Sequence, residues 1–142
     1  MIVVDASVAA KWFLPEADSE AAQALLAGPR RLLAPDLIRI EVAAAITRQA
    51  RLGRLSADRV RALVAEWAQA LADGAITLTP ARDDIDGAAE LAIQLRHPLQ
   101  DCLYLALALR LDVPIVTADR AFINRARTAH PRIEDLRVGP DG

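Results

Sequence analysis

Short apolar runs alternate along the chain with longer segments of helical period, and that alternation predicts its elements. Strands are expected near residues 2–5, 32–34, 76–79, 114–117 and 135–138. Helices are expected near 7–14, 18–28, 36–53, 56–72, 84–97, 101–112 and 119–128. Strand–helix–strand alternation signals a parallel sheet covered on both faces, because parallel neighbours need a crossover that is usually helical. In the 56–72 segment, Val60, Leu63, Val64, Trp67 and Leu71 share one face, with Ser56 as a suitable N-cap after the break at Gly53-Arg54-Leu55. The 101–112 segment is apolar nearly all round and is expected to be the most buried helix. Pro98 suits the entry to that helix, and Pro114 the start of the fourth strand. Trp12 and Phe13 read as core residues, with a partner surface as the other reading. No linker, repeat or low-complexity stretch divides the sequence, so residues 1–142 are expected to form one α/β domain.

Composition narrows the function classes. The chain is 54% hydrophobic yet has no uninterrupted apolar run of the about 20 residues that span a bilayer, so no membrane role is expected. The N-terminus lacks a basic region, and Asp5 interrupts its only apolar stretch. A single cysteine, Cys102, excludes an internal disulfide and suits a reducing, cytoplasmic setting. His97 and His130 are too few for an imidazole-rich zinc site and are expected at the surface. Net charge is −2, so no global positive field points to nucleic acid. Lys11 is the only lysine, a bias toward arginine that base composition explains. Local groups such as Arg120, Arg125 and Arg127 still offer bidentate phosphate contacts.

The candidate chemistry lies in four acids, each set in or beside an apolar segment. Asp5 ends Ile2-Val3-Val4, and Glu41 sits within the 37–46 run. Asp101 precedes Cys102-Leu103-Tyr104-Leu105, and Asp119 follows Ile115-Val116-Thr117-Ala118. Carboxylates are rarely buried unless paired or bound to a metal. Each acid also has a plainer reading. Asp5 and Asp119 suit helix N-caps, Asp101 a first-turn acid favoured by the helix dipole, and Glu41 a solvated position. Taken together they suggest a shared pocket, and hard carboxylate ligands favour Mg²⁺, with Mn²⁺ able to substitute.

Val4-Asp5-Ala6-Ser7-Val8, Glu41, Asp101-Cys102-Leu103-Tyr104-Leu105-Ala106-Leu107-Ala108 and Val116-Thr117-Ala118-Asp119 resemble the PIN-domain ribonucleases. The overall length and the opening from Asp5 to Lys11-Trp12-Phe13 are most similar to VapC toxins of toxin–antitoxin systems. The resemblance covers essentially the whole chain. It implies a three-layer α/β/α sandwich around a five-stranded parallel sheet with the first and fourth strands adjacent. It implies metal-binding and catalytic roles for Asp5, Glu41, Asp101 and Asp119, with Ser7 and Thr117 supporting them. It also implies an RNA substrate, a homodimer and a VapB-like antitoxin. Cys102 stands where the family often has alanine, a neutral packing change.

The expected activity is Mg²⁺-dependent endoribonucleolytic cleavage, in which a carboxylate-bound metal activates water against an RNA phosphodiester. Asp5 and Asp101 are taken as the principal ligands, with Glu41 and Asp119 completing the shell, holding a second ion or orienting the water. Lys11, Arg120 and Arg125 are the candidate phosphate contacts. A phosphoacceptor receiver domain would need an Asp at the third strand and a late lysine, and neither is present. A haloacid-dehalogenase-type phosphatase would want Asp where Ser7 stands. The alternative from another class is a catalytically silent PIN-like binding module.

Overall fold

In the computed structural model, which describes residues 1–138, five short parallel strands form one sheet in the order β3-β2-β1-β4-β5. The strands are β1 (Ile2–Val4), β2 (Leu32–Pro35), β3 (Thr77–Thr79), β4 (Ile115–Thr117) and β5 (Ile133–Asp135). The connecting helices are α1 (Ala6–Ala9), α2 (Ser19–Ala27), α3 (Ile38–Arg51), α4 (Ala57–Ala72), α5 (Ile85–Leu95), α6 (Leu99–Leu111) and α7 (Arg120–Ala126). The chain runs outward from β1 through β2 to β3, then returns past β1 to β4 and β5. Right-handed crossovers in opposite directions put the two groups of helices on opposite faces, which gives the expected three layers. Residues 139–142, the last of the expected single domain, lie outside the described part.

The sheet is apolar because both of its faces are covered. Ile2, Val3, Val4, Leu32, Leu33, Ala34, Ile115 and Val116 are all buried. α6 packs on β1, β2 and β4, and every residue from Cys102 to Ala108 is buried, as its apolar circumference requires. α4 turns Val60, Leu63, Trp67 and Leu71 inward, and Ser56 caps it by accepting from the Arg59 amide at 3.1 Å. Trp67 donates from Nε1 to the Arg39 carbonyl at 3.1 Å and meets Phe13 edge-on at 5.7 Å. Gly53 at φ +70 supplies the left-handed residue that turns the chain from α3 toward α4. Among the described residues, no helix is long and apolar enough to cross a membrane.

Three sequence expectations change. The first helix breaks into α1 and a 3₁₀ turn over Ala10–Trp12, with Pro15 just beyond preventing continuation. β5 occupies 133–135 rather than 135–138. Ile133 pairs with Ile115, and the Asp135 carboxylate then accepts from the Arg137 amide at 3.0 Å, which curls the chain into a turn. The two histidines are interior, with 8% of His97 and 3% of His130 exposed. His130 binds the Val113 carbonyl through Nε2 at 2.8 Å. His97 follows Arg96, whose φ of 52° ends α5 and folds the chain back over α7.

Candidate active site

β1 and β4 are hydrogen-bonded neighbours, with Val3 beside Ile115 and Val4 beside Val116. On either side of this pair the strand order runs in opposite directions, so a crevice opens at their carboxyl ends. Asp5 and Asp119 are the residues that leave these strands, and both cap helices. Asp5 Oδ1 accepts from the Val8 amide at 3.3 Å and from Ser7 Oγ at 2.5 Å. Asp119 Oδ1 accepts from the Phe122 amide at 3.1 Å. Capping and a place in the crevice are therefore compatible, because a cap uses only part of a carboxylate.

Two hydroxyls tie the strand ends together. Ser7 Oγ accepts from the Ala118 amide at 3.1 Å and lies 3.4 Å from Thr117 Oγ1. Thr117 Oγ1 in turn accepts from the Asp119 amide at 3.1 Å. Glu41 reaches the crevice from the first turn of α3, where the Tyr104 hydroxyl donates to its Oε1 at 2.6 Å. Asp101, in the first turn of α6 rather than at its opening, is held through Oδ2 by His97 Nε2 at 2.6 Å. Glu41, Asp101 and Asp119 thus each spend one oxygen on a fixed donor. Their second oxygens carry no hydrogen bond among the described residues.

The electrostatics centre on Asp101. Burial raises the Asp5 carboxyl from 3.8 to about 6, with the nearby Asp101 charge adding to the rise and the Ser7 and Thr117 hydroxyls opposing it. Glu41 is raised first by burial and further by Asp101, against the pull of Tyr104. The buried Tyr104 phenol is pushed far upward by desolvation and by the charges of Glu41, Asp5 and Asp101. Asp101 also belongs to a compact trio with His97 and Asp119, whose ligand atoms all lie within 4.8 Å of one another. Asp101 is the member common to both groups.

Sequence reading missed His97 and Tyr104. The i+3 spacing of Tyr104 from Asp101, which puts the two on one face of a helix, was the available signal for Tyr104, whereas His97 precedes α6 and offered none. The proposed phosphate contacts are partly committed elsewhere. Lys11 pairs with Glu16 at 3.0 Å, and Arg125 donates to the Arg96 carbonyl. Arg120 has no such bond among the described residues, and its charge helps to lower Asp135. Arg137, paired with Asp135 at 2.8 Å, also feels the charge of Asp119. Among the described residues no lysine or arginine forms an ion pair with Asp5, Glu41, Asp101 or Asp119. An oxygen-rich donor set without a lysine or arginine paired to it suits a hard divalent cation such as Mg²⁺ or Mn²⁺. A separate cleft of about 300 Å³ between α2 and the β4–β5 edge contains none of the four acids, so the candidate site rests on chemistry rather than cavity size.

Comparison with known proteins agrees with this architecture. The family model described as PIN domain matches residues 2–128. No curated protein matches the chain significantly. A chain of a toxin–antitoxin complex from Klebsiella pneumoniae is similar at 15% identity and TM-score 0.60, over 96% of this chain and 98% of that one. A protein from Pyrobaculum aerophilum is similar at 20% identity and TM-score 0.67, over 96% and 90% of the two chains. VapC20 of Mycobacterium tuberculosis, a sarcin-ricin loop cleaving toxin, is similar at 16% identity and TM-score 0.67, over 87% and 94%. At such identities the structural likenesses speak for the fold.

Proposed function

Because the chain belongs to the PIN domain family, whose members are typically nucleases, we propose that it is a Mg²⁺-dependent endoribonuclease and the toxin of a toxin–antitoxin pair. The observation that carries this reading is the gathering of acids around Asp101 at the β1–β4 switch point, with no lysine or arginine among the described residues in an ion pair with them. Two similar structures, a toxin–antitoxin complex and a sarcin-ricin loop cleaving toxin, support the toxin assignment. The partners under this reading are RNA, a VapB-like antitoxin and a second copy of the chain.

Asp5 and Asp101 are assigned as the principal ligands, with Glu41 and Asp119 completing the shell. A bound Mg²⁺ would neutralise phosphate charge and lower the pKa of water, so that hydroxide is available near neutral pH. The residues of the chain then hold the geometry. Ser7 and the Val8 amide fix Asp5 by one oxygen, and Tyr104 fixes Glu41 by Oε1. Oε2 of Glu41 is assigned to orient the attacking water and accept its proton. Attack at phosphorus breaks the bond to the 3′ oxygen, which takes a proton from solvent and leaves as a hydroxyl, while a 5′-phosphate remains on the other fragment and Glu41 returns its proton to solvent.

The test is to incubate the purified chain, freed of antitoxin, with total bacterial RNA in Mg²⁺, beside lanes with EDTA and with Asp5→Asn. Discrete cuts bearing 5′-phosphates and absent from both controls are expected. A folded wild-type protein that cuts nothing would mean a binding module. Cuts that persist in Asp5→Asn would remove the acids from the mechanism.

A further inference from the structure

We propose that His97 is a positioning residue for the acidic site: its Nε2–H holds the Asp101 carboxylate, and its ring, stacked on Phe122, links Asp101 to Asp119. The inference rests on the metal-dependent reading above and deepens it. His97 Nε2 lies 2.6 Å from Asp101 Oδ2, too close for two lone pairs, so against an Asp101 carboxylate this nitrogen carries the hydrogen. Nδ1 is buried without a partner, an arrangement less costly for an unpaired acceptor than for an orphaned N–H. The ring is stacked on Phe122 with centroids 5.0 Å apart and planes 21° apart. Phe122 is fully buried, and its own amide donates to Asp119 Oδ1 at 3.1 Å. One aromatic pair therefore braces both carboxylates, one through a ring N–H and the other through a backbone N–H.

His130 also sits in the interior, but its Nε2 is spent on the Val113 carbonyl, an ordinary structural contact. His97 directs its nitrogen to a carboxylate whose other oxygen is free of hydrogen bonds among the described residues. A hydrogen-bearing Nε2 has no lone pair for a cation. His97 therefore acts through Asp101 and is not itself a ligand. Partners of this kind fix the direction in which a ligand presents its electrons, and their loss weakens metal binding roughly 10- to 100-fold.

Mn²⁺ affinity measured by electron paramagnetic resonance on wild type, His97→Phe, His97→Gln and Phe122→Leu tests this directly. His97→Phe keeps the stacked ring and loses the donor, so its Mn²⁺ affinity should fall roughly 10- to 100-fold. His97→Gln, whose amide can donate, should recover most of it, and Phe122→Leu should fall between wild type and His97→Phe. Circular dichroism reports whether each variant is folded, and Phe122→Leu and His97→Gln carry the test if His97→Phe is not. Wild-type affinity in folded His97→Phe overturns the proposal, as do equal losses in His97→Phe and His97→Gln, or wild-type affinity in folded Phe122→Leu. Nitrogen modulation of the bound Mn²⁺ signal would make His97 a ligand and overturn it as well. Wild-type protein that binds no Mn²⁺ would instead refute the metal-dependent reading on which the proposal stands.

Discussion

Asp5→Asn should stabilise the metal-free protein while abolishing its activity. Asp5 is 4% exposed, and its carboxyl is held at about 6 instead of 3.8, chiefly by burial. At about 1.4 kcal/mol per pH unit, ionising it in the folded state costs about 3 kcal/mol. The native state keeps this proton in the window between roughly 4 and 6, where the unfolded chain has lost it. Stability from this group therefore falls as pH rises through the window. The cost is absent below 3.8 and fully present above 6. Asparagine removes it, because its oxygen can still accept from Ser7 and Val8. The new amide N–H groups need partners of their own, which reduces the expected gain to about 1–3 kcal/mol, a large share of a typical domain's 5–15 kcal/mol. Urea unfolding in EDTA, at pH 4 and pH 8, measures it. The variant should exceed wild type at pH 8 and lie about 0–2 kcal/mol below it at pH 4, where only the amide penalty remains, and saturating Mg²⁺ should narrow the pH 8 gap by stabilising only wild type. A variant no more stable than wild type at pH 8, or a gain that is the same at both pH values, would refute the reasoning.

Tyr104→Phe removes the hydroxyl that donates to Glu41 at 2.6 Å and should cost about 2 kcal/mol in urea unfolding, with a drop in cleavage. Ser7→Ala removes a donor that holds the Asp5 carboxyl down, so ¹³C NMR of the metal-free protein should show Asp5 titrating higher than in wild type. Trp67→Ala empties a core position on α4 and should cost about 3–5 kcal/mol by calorimetry.

The sheet was legible because each central strand is a short apolar run ended by an acid, and the α4 face because its apolar spacing follows the helical period. Asp5, Asp119 and Ser56 could be read as caps from local sequence alone. What escaped depends on partners distant in the chain. His97 is expected at the surface, at the end of the 84–97 helix, and its stacking on the Phe122 ring of α7 is what its local sequence does not show. Glu41 stood out as an acid on an apolar face, yet nothing near it announced Tyr104 as its donor. The register of β5 is set by Ile115 across the sheet and by the Asp135 turn, not by its own pattern. Lys11 read as a free cation until Glu16 proved to be within reach.

The most direct test is a crystal of the antitoxin-free protein soaked in Mn²⁺, with anomalous scattering used to locate the ion. The account predicts a peak in the β1–β4 crevice, ligated by carboxylate oxygens of Asp5 and Asp101 and lost in Asp101→Asn. A well-ordered crevice with no peak at saturating Mn²⁺, or an ion bound elsewhere, would contradict it.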